Sequence, residues 1–139
     1  MSARWRLLGF LGILCVNAGA LAQETIERQV KAQSGRDSRI AAFVTIRQDC
    51  SAGPLPGVRL KEAPKNGTVT VKQGRIRTTN FRQCLAIEVP AFIAFYRSAD
   101  GFAGEDSVLL EVVGANGKTQ LQRFNVTVEK PAVGRAIAL

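Results

Sequence analysis

Two groups of side chains in this 139-residue chain could carry chemistry. Asp100, Glu105 and Asp106 lie on one glycine-rich stretch, and oxygen ligands on a flexible loop are what Ca²⁺ needs. The plainer reading is that Asp106 caps a turn by accepting backbone N–H bonds, while Gly101 and Gly104 supply unusual dihedrals. There is no second acidic cluster, so the loop is kept as a binding candidate and no metal or other cofactor is assigned. The second group is basic. Arg75 and Arg77 are two apart and would point to the same face of a strand. With Lys72 and Arg82 they would make a positive strip able to contact phosphate or carboxylate groups. Only Phe81 lies among them as a stacking aromatic, so no nucleic-acid partner is expected. The chain has no histidine, which excludes Ser-His-Asp and Cys-His arrangements. No motif points to a Ser/Lys dyad or a carboxylate pair, and the chain is read as a non-enzyme.

Three cysteines remain to be placed. Residues 1–22 have the layout of a secretory signal peptide. Arg4 and Arg6 form a positive start, Leu7 to Val16 an apolar run, and Asn17 to Ala22 a small-residue end closing on Ala20-Leu21-Ala22. Cleavage is expected between Ala22 and Gln23. A spanning helix needs about 20 apolar residues, so this run is too short for a permanent anchor. Cys15 is preceded by the bulky Leu14, which argues against a lipoprotein site, and it leaves with the leader. Cys50 and Cys84 stay behind. Two cysteines in an oxidising compartment are most simply one disulfide. The expected location is periplasmic or secreted.

The net charge of +8 is unevenly spread. Arg59, Lys61, Lys65, Lys72, Arg75, Arg77 and Arg82 fall between residues 51 and 87, with Glu62 the only acid among them. Such a field attracts anionic polymers or an anionic membrane face, although basic side chains also blunt sheet edges.

The elements expected to position these groups are strands. Residues 23–39 read as an N-terminal arm or a first irregular strand. The domain proper is expected over 40–130, with 131–139 as a tail. Ile40 to Ile46 is apolar and β-branched, and Val58 and Leu60 alternate with Arg59 and Lys61. Pro64-Lys65-Asn66-Gly67 is a turn, with Asn66-Gly67 suited to a tight hairpin. Thr68 to Lys72 and Arg75 to Thr79 read as two strands broken at Gln73-Gly74. Leu85 to Val89 and Phe92 to Tyr96 are separated by Pro90. Ser107 to Val113 and Lys118 to Glu129 form a last hairpin about Asn116-Gly117. The result is an all-β sandwich of seven or eight antiparallel strands. Tyr96, the only tyrosine, is expected to pack its ring in the core and tie down the following loop with its hydroxyl.

The segment Ala63-Pro64-Lys65-Asn66-Gly67-Thr68-Val69-Thr70-Val71 resembles the "aP-x-nGtv-x-v" run of bacterial immunoglobulin-like or cadherin-like modules. Phe95 to Ser107, containing Tyr96, Gly101-Phe102, Gly104 and Asp106-Ser107, is similar to their "v-x-Y-x-p-x-x-gf-x-G-x-Ds". Asn116-Gly117 and Phe124 to Val128 match the final turn and strand. The resemblance spans about residues 56–129, with Arg97-Ser98 in place of the proline step. It implies an immunoglobulin-like β-sandwich, present here as a single copy. Fold restricts function only loosely. The leading expectation is an exported, non-catalytic binding module of the bacterial cell envelope that recognises a protein or an anionic polymer. The alternative is a secreted inhibitor or effector-like factor acting on another enzyme through the 97–106 loop. An enzyme or accessory subunit would need a deep polar pocket.

Overall fold

A computed structural model describes Gly19 and residues 23–131. The expected leader, Gly19 apart, and residues 132–139 of the tail lie outside the described residues. Seven strands follow in chain order: β1 (Thr25–Gln33), β2 (Ser38–Phe43), β3 (Gly57–Glu62), β4 (Gly67–Phe81), β5 (Cys84–Ser98), β6 (Gly104–Val113) and β7 (Thr119–Glu129). They form two sheets, ordered β1-β7-β6-β3 and β2-β5-β4. The molecule is an all-β sandwich, with no helix among the described residues.

Alternation explains the last hairpin. Val108 and Leu110 on β6, with Phe124, Val126 and Val128 on β7, turn inward and are buried. Gly114 N–H bonds to the Lys118 carbonyl (2.9 Å), and Gly117 sits at φ 78° in the intervening loop. That left-handed step is the one a short hairpin with an αL residue demands. Ile40, Phe43, Ala94 and Tyr96 close the core from the other sheet. Tyr96, Phe124 and Leu110 have no solvent exposure, and burying a side chain of this size stabilises by about 1.5–3 kcal/mol.

The ladder departs from the sequence reading at four places. Residues 25–33 form a regular strand, and β1 lies parallel to β7, from Thr25 opposite Leu121 to Gln33 opposite Glu129. That sheet is therefore mixed, not wholly antiparallel. Gln73-Gly74 does not break a strand, because β4 runs unbroken for 15 residues. Pro90 does not divide β5, which also runs for 15 residues. Its ladder with β4 continues past the proline, whereas β2 leaves β5 at Phe43 opposite Phe92. A proline is tolerated where its nitrogen faces a side without a partner strand. Finally, Asn66-Gly67 makes no hairpin, since β3 pairs with β6 and β4 with β5. The turn carries the chain from one sheet to the other. Glycine is needed at 67 for close approach: a Cβ there would strike the Arg97 carbonyl oxygen and lie 2.9 Å from Cε2 of Tyr96.

The β4–β5 hairpin thus extends beyond the part of the sheet that β2 covers. The chain after β2 is pinned to the hairpin's far end by the Cys50–Cys84 disulfide, with Cα atoms 5.7 Å apart. The Gln83 side-chain amide also donates to the Gln48 carbonyl there. Cys84, Val89 and Ala91 are buried at this end, outside the main core cluster.

Candidate binding surface

The acidic loop divides into three separate roles. Asp106 is 8% exposed. Its Oδ1 accepts the N–H of Lys65 (2.9 Å) and of Ser107 (2.9 Å). Its Oδ2 accepts the N–H of Asn66 (3.0 Å) and the hydroxyl of Tyr96 (2.8 Å). One carboxylate therefore holds the 63–67 turn, the start of β6 and the end of β5 together. Burial opposes its ionisation, but the bonds from Lys65, Tyr96, Asn66 and Ser107 outweigh that and hold Asp106 below the usual aspartate range. Burial, with the anionic acceptor beside it, pushes the Tyr96 hydroxyl above the ordinary tyrosine range.

Glu105, next in the chain, points to the other face of β6 and accepts the Thr127 hydroxyl (3.0 and 3.1 Å). Asp100 is exposed, and its Oδ1 lies 2.6 Å from where a Cβ on Gly35 would stand. Gly101 and Gly104 adopt φ of 77° and 141°, conformations that side-chain-bearing residues rarely take. The three carboxylates do not converge. Among the described residues no group of three or more His, Cys, Asp and Glu side chains gathers to hold a metal ion.

The basic residues lie along the β4–β5 hairpin without sharing one face. Arg75 and Arg77 both reach Glu88 on β5, with Nε to carboxylate distances of 3.2 and 3.3 Å. Lys72 is three residues before Arg75 and falls on the opposite face, where its Nζ lies 5.6 Å from the centre of the Phe95 ring. Arg82 occupies the hairpin turn at φ 54°, with its guanidinium 5.3 Å from the Phe81 ring. Glu88 escaped the sequence reading because its neighbours are fixed by a long ladder register. Even so, it is the only acid in the hairpin, against Lys72, Arg75, Arg77, Arg82 and an Arg97 paired with Asp37 (3.0 Å).

A shallow groove of about 610 Å³ crosses the outer face of the four-stranded sheet, lined by Gln29, Glu62, Lys65, Ser107, Arg123 and Asn125 among others. Arg123 Nη1 donates there to Glu62 Oε2 (3.0 Å) and to Ser107 Oγ (3.1 Å). The bond from Arg123 lowers the Glu62 carboxyl below its usual range. This groove was not evident in the sequence, because its residues come from four separated segments. No helix among the described residues is long and apolar enough to cross a membrane. No family model and no curated protein matches the chain.

Proposed function

We propose that the chain is an exported, non-catalytic binding module of immunoglobulin-like, cadherin-like architecture that recognises a protein or an anionic polymer of the bacterial cell envelope. One observation carries the binding surface: the β4–β5 hairpin carries four cations, Lys72 within the part of the sheet that β2 covers and Arg75, Arg77 and Arg82 beyond it, and a single acid, Glu88. The strand order supports the architecture. β2-β5-β4 against β3-β6-β7 corresponds to the B-E-D and C-F-G strands of an immunoglobulin sandwich. The Arg4 to Ala22 leader pattern and the Cys50–Cys84 disulfide support export into an oxidising compartment, where a disulfide persists.

The test is capture from bacterial envelope extract by the protein and by Arg75→Glu/Arg77→Glu, over a salt series. The neutral Arg75→Gln/Arg77→Gln variant controls for repulsion of Glu88. A specific partner should bind the native hairpin, bind the glutamine variant weakly and be lost from the glutamate variant. Binding should also weaken as salt screens it. Equal capture by all three proteins refutes a role for the hairpin charges. The inhibitor reading draws support from the rigidity of the 97–106 loop: Ala99 N–H bonds to the Asn66 carbonyl (2.8 Å), and Gly35 N–H bonds to Ser98 Oγ (3.0 Å). It predicts a one-to-one enzyme complex that is lost with Asp100→Lys and indifferent to Arg75 and Arg77.

A further inference from the structure

Among the described residues, β4 is the outer edge of the three-stranded sheet along its whole length. Natural edges are usually shortened, bulged or broken by proline. This one has no proline, and its ladder with β5 runs without a shift from Gly67 opposite Ser98 to Phe81 opposite Cys84. Two observations fix which backbone groups are left over. Ala99 N–H bonds to the Asn66 carbonyl, so 66 and 99 are a hydrogen-bonded pair. Antiparallel pairs alternate between bonded and non-bonded. The bonded pairs on β4 are then 68, 70, 72, 74 and 76 with their partners, and the pair of Arg75 with Pro90 is non-bonded. Pro90 requires the same assignment independently, because it has no N–H to give to β4.

The N–H and C=O groups of Val69, Val71, Gln73, Arg75 and Arg77 therefore point out of the free edge. That is a row about 27 Å long at a rise of about 3.4 Å per residue. Val71, Gln73, Arg75 and Arg77 are exposed. The charges select the occupant. A second copy pairing through the same edge would bring two sets of Lys72, Arg75 and Arg77 together, and in the register centred on Ile76 it would set Arg75 directly opposite Arg77; like charges across a ladder destabilise it. Acidic side chains in those positions would gain cross-strand pairs. Lys72, on the other face of the edge, forms no ion pair among the described residues.

We propose that the free edge of β4 takes up an extended acidic polypeptide segment as an added strand, through the backbone groups of residues 69–77 with Lys72, Arg75 and Arg77 flanking it. This rests on the reading of the hairpin as the binding surface and specifies a polypeptide over a polyanion. The probes are a labelled peptide alternating glutamate with valine and threonine, the same peptide N-methylated at alternate residues, and polyacrylate, a polycarboxylate with no peptide backbone. Gln73→Pro removes one outward N–H and leaves the β4–β5 bonds intact; its far-UV spectrum and melting temperature establish that it folds.

The peptide should lose about tenfold or more in affinity with Gln73→Pro and on N-methylation, whereas polyacrylate should bind both proteins equally. In the unsubstituted protein, the bound peptide should slow amide exchange at 69, 71, 73, 75 and 77 and leave 70, 72, 74 and 76 unchanged. Peptide binding that ignores Gln73→Pro, or protection without this alternation, overturns strand addition. If polyacrylate still binds through Arg75 and Arg77 in that case, the charge-based binding function stands. Failure of every probe to bind overturns both.

Discussion

Replacing Asp106 by alanine tests whether one carboxylate organises the junction of three segments. The change strips the acceptor from the Tyr96 hydroxyl, on a side chain with no solvent exposure, and from three backbone N–H groups. A buried donor left unpaired costs about 1–3 kcal/mol, and bonds to a charged acceptor contribute about 1.5–3 kcal/mol each when fully buried. The backbone donors are only partly buried, so the sum is about 3–5 kcal/mol. At about 4 °C per kcal/mol for a domain of this size, melting should fall by roughly 15 °C. Tyr96→Phe removes one bond and leaves Asp106 with its backbone donors, a loss of about 1.5–3 kcal/mol. The double variant should be only slightly less stable than Asp106→Ala, giving a coupling of about 1–2 kcal/mol. Urea unfolding of the four proteins, with the slope checked for constancy, measures the cycle. A loss below about 1 kcal/mol for Asp106→Ala, or additivity within about 0.5 kcal/mol, would refute the reasoning.

The same pair contributes to both limbs of the stability–pH curve. Asp106 is held below its unfolded range, so its contribution is present above about pH 4 and is lost as pH falls through the folded value. Tyr96 is held above its range, so its contribution is present below about pH 10 and is lost as pH rises further. Asp106→Asn should flatten the acid limb and Tyr96→Phe the alkaline limb in unfolding titrations, and unchanged limbs would count against the assignment. Gly67→Ala should destabilise by about 1–3 kcal/mol in urea, because its Cβ meets a backbone oxygen that cannot rotate away; a neutral result would show that β5 yields there. Replacing Cys50 and Cys84 by serine opens a loop with a sequence separation of 34, for an expected loss of about 4 kcal/mol. Stability equal to that of the disulfide-bonded protein would mean that the 44–56 segment is held by other contacts.

The parts legible in the sequence are those decided locally. Val108, Leu110 and Val112 alternate cleanly, and Asn116-Gly117 marks the turn beside them, so β6 and β7 could be read directly. With Cys15 in the expected leader, Cys50 and Cys84 left one pairing. β1 was harder, because its inward positions run Ile26, Arg28, Val30 and Ala32, and Arg28 interrupts the apolar alternation. Its parallel partner lies near the other end of the domain and leaves no local mark. Gly74 and Pro90 are punctuation by local rule, yet here they sit in a two-stranded hairpin where one side of β5 has no ladder to lose. Two features of the candidate site were available from strand parity alone. Glu105 and Asp106 are adjacent and so face apart, and Lys72 and Arg75 are three apart and so do the same. Glu88 and the Arg123–Glu62 groove depend on long-range register, which composition and spacing do not encode.

The pairing of β1 with β7 also governs the order in which the molecule can be assembled. Thr25 and Leu121 are 96 positions apart, and a contact that distant forms only after most of the chain is present. At synthesis rates of about 5–20 residues per second, β1 must wait roughly 5–20 s for its partner to appear. During that interval it is an unpaired strand next to the expected leader junction at Ala22-Gln23. The β4–β5 hairpin can close while it waits, because it joins neighbours in the chain, whereas β6–β7 closes only once β7 has itself been made. The first strand made is thus among the last to be locked, and a molecule cut short before β7 would carry that strand exposed.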